Sequence, residues 1–310
     1  MKNKQSHFGF LMVIIAMITT ASQPAAATPQ PNGAEVTPVA PTATQMAAIP
    51  TPEPSLAALP ALAPDPQEIS FTAADGQVLQ GYYYPAAVDD APVVVLMHWV
   101  NGNLSDWYEI APWLQNRGLK NPFSNPGTLT WWNPTWFPAL QTDVSYNVFI
   151  FSLRNCQPFT DGCGKIDPQG WYADVQGAML QAAALEGADA TRIAAIGSSI
   201  GADSAADGCA WLNTQQTGAC RGSLSLSPGN YLEISYAETV KQMGEGEHPA
   251  YAWCLGDEQE VAFCKSVGEF ANYQLYEIPN GGHGNMLLSP SLEPLPMQLI
   301  LDFLDAVFIE

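Results

Sequence analysis

The chain has 310 residues, with 30 acidic against 10 basic side chains and a formal net charge of -20. A surface of that sign repels phosphate backbones and anionic lipid headgroups, which argues against nucleic acid or an anionic membrane as a partner. Hydrophobic residues make up 47% and aromatics 10%, enough for a substantial core and too much for a chain disordered throughout.

Met1 to Ala27 carries Lys2 and Lys4, then the apolar run Phe8 to Ala21, then Ala25-Ala26-Ala27. That is the three-part layout of a secretory signal, with cleavage expected after Ala27 and an uncleaved anchor as the alternative. The run is short for a membrane span, so no stable membrane insertion is expected once it is cleaved. No cysteine follows it to carry a lipid. Residues 28 to 66 are dominated by Pro, Ala and Thr without a repeating apolar pattern, which predicts a flexible spacer. The chain is expected to be extracellular, either released or tethered if the signal stays.

Residues 67 to 310 suit one α/β domain. Glu68 to Phe71 and Val78 to Tyr84 flank Ala73-Ala74-Asp75-Gly76, where Asp-Gly marks a hairpin turn. Ala91 to His98 is a near-continuous apolar run, as expected of a strand covered on both faces. Ser105 to Arg117 reads as a helix with Ser105 as its cap. Residues 119 to 142 then break the pattern with Pro122, Pro126, Pro134 and Pro138 among Trp131, Trp132, Trp136 and Phe137. This stretch reads as an insertion packed over the domain, covering local core or facing substrate.

Val144 to Leu153 is the next strand, and Pro168 to Glu186 a helix with Trp171, Val175, Met179 and Ala183 at helical spacing. Further strands are expected at Gly222 to Leu226, Tyr251 to Leu255 and Tyr273 to Ile278. Helices are expected at Tyr231 to Met243, Val261 to Phe270 and Leu295 to Ile309. Strand and helix alternate throughout, which predicts a mostly parallel central sheet with helices on both faces.

All six cysteines lie beyond the spacer, at Cys156, Cys163, Cys209, Cys220, Cys254 and Cys264. An even count in an exported chain suggests three disulfides, and sequential pairing would close three short loops. No C-x-x-C spacing occurs, so zinc is not expected, nor any other metal or organic cofactor.

Chemistry concentrates at Arg192 to Asp203, an apolar run broken by Gly197-Ser198-Ser199-Ile200-Gly201. A G-x-S-x-G sequence between strand and helix places the central serine on a tight, strained turn, with glycines leaving room for the two elements to pass. Ser199 then projects from the sheet beside a helix N-terminus, where free N–H groups favour developing negative charge. A serine needs a base, and there are four histidines. His7 belongs to the signal, His98 ends an apolar strand, and His248 lies in the polar run Gly244 to Pro249, read as an exposed loop. His283, in Asn280-Gly281-Gly282-His283-Gly284 after the last strand, is the expected base. For the carboxylate that orients it, Asp257 is preferred as the first acid after its strand, with Glu258 and Glu260 as neighbours able to substitute. The oxyanion donors are expected to be the N–H of Ile200 and one from the loop after His98, either Trp99 or Val100.

The order Ser199, Asp257, His283, each after a strand, resembles the α/β-hydrolase superfamily, and GSSIGAD is similar to the elbow of its dienelactone-hydrolase-like serine members. The resemblance covers Phe71 to the C-terminus and implies a nucleophile, acid and base at those three positions. Two departures stand out. His98-Trp99 replaces the common His-Gly, and Ser199 stands where dienelactone hydrolase itself has cysteine, so lactone specificity does not carry over.

The reaction implied is hydrolysis of a carboxylic ester, small or polymer-borne, through an acyl-enzyme. Amidases, peptidases and acyltransferases share the fold. A secreted binding module without turnover and a surface-anchored structural protein are the rivals from other classes. No oligomeric state is readable.

Overall fold

The computed structural model describes residues 63–116, 123, 134–156 and 162–309. The signal and nearly all of the spacer lie outside the described residues, as do Trp131 and Trp132. Ala63 is already buried, and the Pro64 carbonyl accepts a hydrogen bond from Gln115 Nε2 at 2.9 Å, so packing begins ahead of Gln67.

The strands are β1 (Gln67–Thr72), β2 (Val78–Tyr84), β3 (Ala91–Met97), β4 (Asn147–Phe151), β5 (Ala188–Ser198), β6 (Cys220–Leu226), β7 (Tyr251–Gly256) and β8 (Tyr273–Glu277). The helices are α1 (Ile110–Leu114), α2 (Pro168–Ala183), α3 (Ile200–Gln215), α4 (Tyr236–Met243), α5 (Ala262–Ser266) and α6 (Pro296–Phe308). The eight strands form one sheet in the order β1-β2-β4-β3-β5-β6-β7-β8. β1 pairs with β2, and β2 with β4, antiparallel; every pairing from β4 to β8 is parallel.

The alternation of side chains along each strand divides the core into two layers. Val93, Val95 and Met97 of β3 face one side with Phe149 and Phe151 of β4, against Val175 and Met179 of α2 and Ala205 and Ala206 of α3. Val94 and Leu96 face the other with Val148 and Ile150, against Ile110 and Leu114 of α1 and Ile300 and Phe303 of α6. β3 is therefore apolar at every position because both faces are covered. Each such side chain contributes roughly 1.5–3 kcal/mol by leaving water. Phe123, Trp136 and Phe137 pack beside Trp113 over the α1 layer, so the described part of the aromatic insertion covers core.

Three helix readings need correction. The helix expected at Ser105 to Arg117 is a short 3-10 turn, Leu104–Trp107, followed by α1. Its cap is Asn103, whose side chain accepts the Ser105 N–H at 2.9 Å. The helix expected from Tyr231 starts only at Tyr236, because Asn230 and Glu233 hold positive φ angles of 62° and 61° that no α-helix accommodates. The helix expected to reach Phe270 ends at Ser266, two residues before Gly268 turns at φ +87°.

Disulfides join Cys156 to Cys163, Cys209 to Cys220 and Cys254 to Cys264. The second ties α3 to β6 and the third ties β7 to α5. The third braces the acid loop, whereas the second lies at the end of the sheet away from the elbow.

Candidate active site

The site grows from the junction of β5 and α3. Ser199 sits there with φ 55° and ψ -116°, a conformation that side chains other than glycine adopt only when neighbours enforce it. The enforcement is steric. A Cβ on Gly197 would drive into the Gly201 carbonyl, and one on Gly201 into the Met97 carbonyl of β3. Two glycines thus let strand and helix touch backbone to backbone and leave Ser199 at the apex, its own N–H held by the Leu226 carbonyl of β6 at 2.8 Å. Ile200 opens α3, so its N–H is among the helix-start donors with no partner inside the helix.

His283 Nε2 lies 2.8 Å from Ser199 Oγ. These residues are 84 apart in sequence and meet because β5 and β8 end on the same edge of a parallel sheet. The ring's other nitrogen, Nδ1, lies 2.7 Å from Glu260 Oε2. The preferred acid, Asp257, does not reach the imidazole. Its carboxylate accepts the Gln259 N–H at 2.9 Å and the Gly282 N–H at 3.1 Å, and the Gln259 amide foremost holds it below the ordinary aspartate range. The reason is a turn: the Glu260 N–H bonds the Asp257 carbonyl at 2.9 Å, which folds the loop back and carries Glu260 to the ring. Glu258 takes the Asn280 N–H at 2.8 Å. Three carboxylates of one loop therefore grip three points of the histidine loop, and only the last touches the ring.

The loop after β3 packs against the other side of the imidazole. Trp99 lies 6.4 Å from the His283 ring, tilted 27° from parallel, and its indole touches the space a Cβ on Gly284 would fill. Below it, His98 is fully buried, with Nδ1 against the Trp99 carbonyl at 2.7 Å and Nε2 accepting the Leu153 N–H at 3.0 Å. That pairing fixes the proton on Nδ1, and burial lowers the ring's pKa to about 4, so it stays neutral. The Val100 carbonyl takes the Cys163 N–H at 2.8 Å, so the Cys156–Cys163 loop clamps the same segment. His98 lies within 4.8 Å of both of those sulfurs, but they are bonded to each other and offer no thiolate to a metal. His248 is exposed in the loop before β7.

Two features escaped the sequence reading. Asp106 is half-buried, with one carboxyl oxygen out of solvent and its carboxyl facing Trp99 and Asn285, and desolvation pushes its pKa up to about 7. Tyr231, read as the first residue of a helix, instead sits in the loop after β6 with its ring edge-on to His283 at 6.3 Å. Pro228-Gly229-Asn230 ahead of it was the available signal, since that triplet favours a turn.

An eight-stranded, mostly parallel sheet carrying a serine elbow, with histidine and carboxylate on later strands, is the α/β-hydrolase fold. No family model and no curated protein matches the sequence. Solved structures do: an esterase of Pyrococcus furiosus, Pf2001, is similar at 14% identity and TM-score 0.53, over 78% of this chain and 93% of that one. The alpha/beta hydrolase GrgF from Penicillium sp. sh18 is similar at 13% identity and TM-score 0.52, over 79% and 99%. DcsB, solved with a substrate analogue, gives 12% identity and TM-score 0.51, over 79% and 100%. Likeness at this level establishes the fold.

Proposed function

We propose that this chain is a secreted serine hydrolase that cleaves carboxylic esters through an acyl-enzyme, with Ser199 as nucleophile, His283 as base and Glu260 as the acid that orients it. The observation that carries this is the unbroken relay from Ser199 Oγ to His283 Nε2 at 2.8 Å and from His283 Nδ1 to Glu260 Oε2 at 2.7 Å. Oγ attacks the ester carbonyl as its proton passes to Nε2. The imidazolium, paired with Glu260, then gives that proton to the departing alcohol. Water repeats the sequence to free the acid.

The oxyanion is assigned to the N–H groups of Ile200 and Val100. Between the two candidates in the β3 loop, peptide geometry favours Val100. The Trp99 carbonyl points inward to His98 and Gly102, and the trans peptide turns the following N–H the opposite way. The His98 carbonyl is turned toward Gly201, which directs the Trp99 N–H away from α3.

Small or exposed esters fit best, because between β6 and β7 the chain carries only α4 and no large lid. Export is supported by the three disulfides and by the signal-like N-terminus. Among the described residues no helix is long and apolar enough to cross a membrane. The resemblance to dienelactone-hydrolase-like serine members rests on the elbow sequence alone.

The test is a panel of chromogenic esters of rising acyl length, with polysaccharide acetates beside them, together with fluorophosphonate labelling. Wild type should cleave a short ester and be labelled at Ser199; Ser199→Ala should do neither. Equal rates for the two proteins would exclude the nucleophile. A wild type that takes no label and turns over nothing would leave a binding module on this fold.

A further inference from the structure

We propose that Tyr231 is a further catalytic residue: its phenol O–H donates a hydrogen bond to the tetrahedral intermediate formed on Ser199, adding a side-chain donor to the two backbone N–H groups. The inference rests on the reading of Ser199 as nucleophile.

The first ground is contact. The Tyr231 phenol ring stands edge-on to the imidazole that takes the serine proton, ring centroids 6.3 Å apart, and its hydroxyl lies on the Ser199 side, close enough to interact with that hydroxyl. A donor set beside the base and facing Oγ lies on the path of the oxygens on a carbon bonded to Oγ. Those oxygens carry the charge that develops in the transition state.

The second ground is how firmly the loop is held, and by what. The Asp203 carboxylate accepts the N–H of Gly229 at 3.0 Å and the N–H of Tyr231. Asp203 lies in the first turn of α3, so the loop is registered to the same helix that starts at the nucleophile. Asn230 holds φ 62° while its Oδ1 accepts the Tyr236 N–H at 2.8 Å, and the Ser227 N–H bonds the Leu255 carbonyl at 2.9 Å. Gly229 completes the arrangement: a Cβ there would come within 2.5 Å of Tyr231 Cζ and 2.8 Å of the hydroxyl oxygen. The ring lies across the glycine, and only a residue without a side chain leaves it that place.

The third ground is the group's protonation. Burial, then the charges of Asp203 and Glu260, raise the phenol's pKa, so it keeps its proton through the neutral range and acts as a donor, never as a base. No covalent step passes through Tyr231. As Oγ bonds the carbonyl carbon and its proton moves to His283, the phenol O–H turns to the new oxyanion and donates to it. It is released when the intermediate collapses. A phenylalanine would make the same ring contacts, so what the tyrosine contributes is the hydroxyl.

Tyr231→Phe separates the two. With p-nitrophenyl acetate, kcat should fall about tenfold to a hundredfold, at or just below the low end of what loss of one oxyanion donor costs, with KM held within about twofold. Inhibition by phenylboronic acid, which forms a tetrahedral adduct on the serine, should weaken by a similar factor, while inhibition by acetate stays constant. A variant with kcat within about twofold of wild type and unchanged boronate affinity overturns the role for Tyr231 and leaves the hydrolase reading intact. Fluorophosphonate labelling run to completion distinguishes the other failure. Full labelling of both proteins shows the serine and its base working in the variant, whereas an unlabelled wild type removes the nucleophile and the Tyr231 proposal together.

Discussion

The elbow around Ser199 and the acid loop from Asp257 to Glu260 both deliver one side chain to His283, but by opposite physical means. At the elbow the determinants are backbone atoms: carbonyls of Met97 and Gly201 occupy the space where side chains would otherwise begin. Backbone cannot move without shifting β3, β5 and α3 together, so the position tolerates no alternative. In the acid loop the determinants are carboxylates, and three lie within four residues, each closing on a different point of the histidine loop. A site can therefore be rigid where it positions the nucleophile and shared where it orients the base, and substitutions should divide along the same line.

The largest effect is expected at the elbow. Gly201→Ala places a methyl group against two carbonyl oxygens of the β3 end, which cannot rotate away as a side chain would. The cost should reach or exceed about 3 kcal/mol, the upper end for overpacking, and the Ser199 geometry should be lost with it. Urea denaturation and ester turnover check this together. A variant of wild-type stability and activity would show that the strand and helix have slack the contacts do not reveal.

Next comes the acid loop. Glu260→Gln should lower kcat by about a hundredfold to a thousandfold, because a neutral amide neither stabilises the imidazolium nor fixes which nitrogen carries the proton. Asp257→Asn should leave kcat within about tenfold and instead cost roughly 1 kcal/mol of stability, since it removes the charge from hydrogen bonds to the Gln259 and Gly282 amides. Steady-state kinetics beside urea midpoints read both. If Asp257→Asn lost activity and Glu260→Gln kept it, the acid would have to be reassigned.

That pair of residues also marks where sequence reading stops. The glycines of the elbow are legible because a steric requirement admits one residue type; β3 and β4 are legible because burial on two faces demands apolar runs, and β1 and β2 because an Asp-Gly turn joins them. Sheet order is less so: β4 enters between β2 and β3, a placement set by long-range pairing that no local pattern encodes. The choice of Glu260 over Asp257 depends on a turn closed by one backbone hydrogen bond, which swings the later residue further than the earlier one. Nearness to the strand end favours Asp257, and the turn overrules it. Tyr231 was missed for a related reason. Apolar spacing extended α4 back over it, whereas positive φ at Asn230 and Glu233 keeps that segment out of the helix and leaves the phenol ring beside His283.

A further effect is expected in stability against pH, and it comes from groups outside the relay. Burial pushes Asp106 and Asp203 up to about 7 and Asp207 up to about 6. An acid with a folded pKa above its unfolded value binds more protons when folded, so its contribution is present at low pH and is lost as pH rises from about 4 through 7. Asp75, held down to about 2 chiefly by Arg154, and Asp257, held low chiefly by the Gln259 amide, have the opposite sign. Their contribution is complete above about pH 4 and is lost on acidification. His98, lowered to about 4 by burial, also favours higher pH and loses its contribution between about pH 6.5 and 4, but the three raised carboxyls outweigh it, so the urea midpoint should peak near pH 4 to 5 and decline toward neutrality, roughly the reverse of a protein stabilised by paired surface carboxylates alone. Asp207→Asn retains an acceptor for the Thr239 hydroxyl, which bonds Asp207 Oδ1 at 2.6 Å, and removes the proton that titrates. It should flatten the decline between about pH 5 and 7 while leaving the acid limb unchanged. A wild-type midpoint that climbs steadily to neutral pH would mean that these carboxyls ionise without penalty and that burial does not set their protonation.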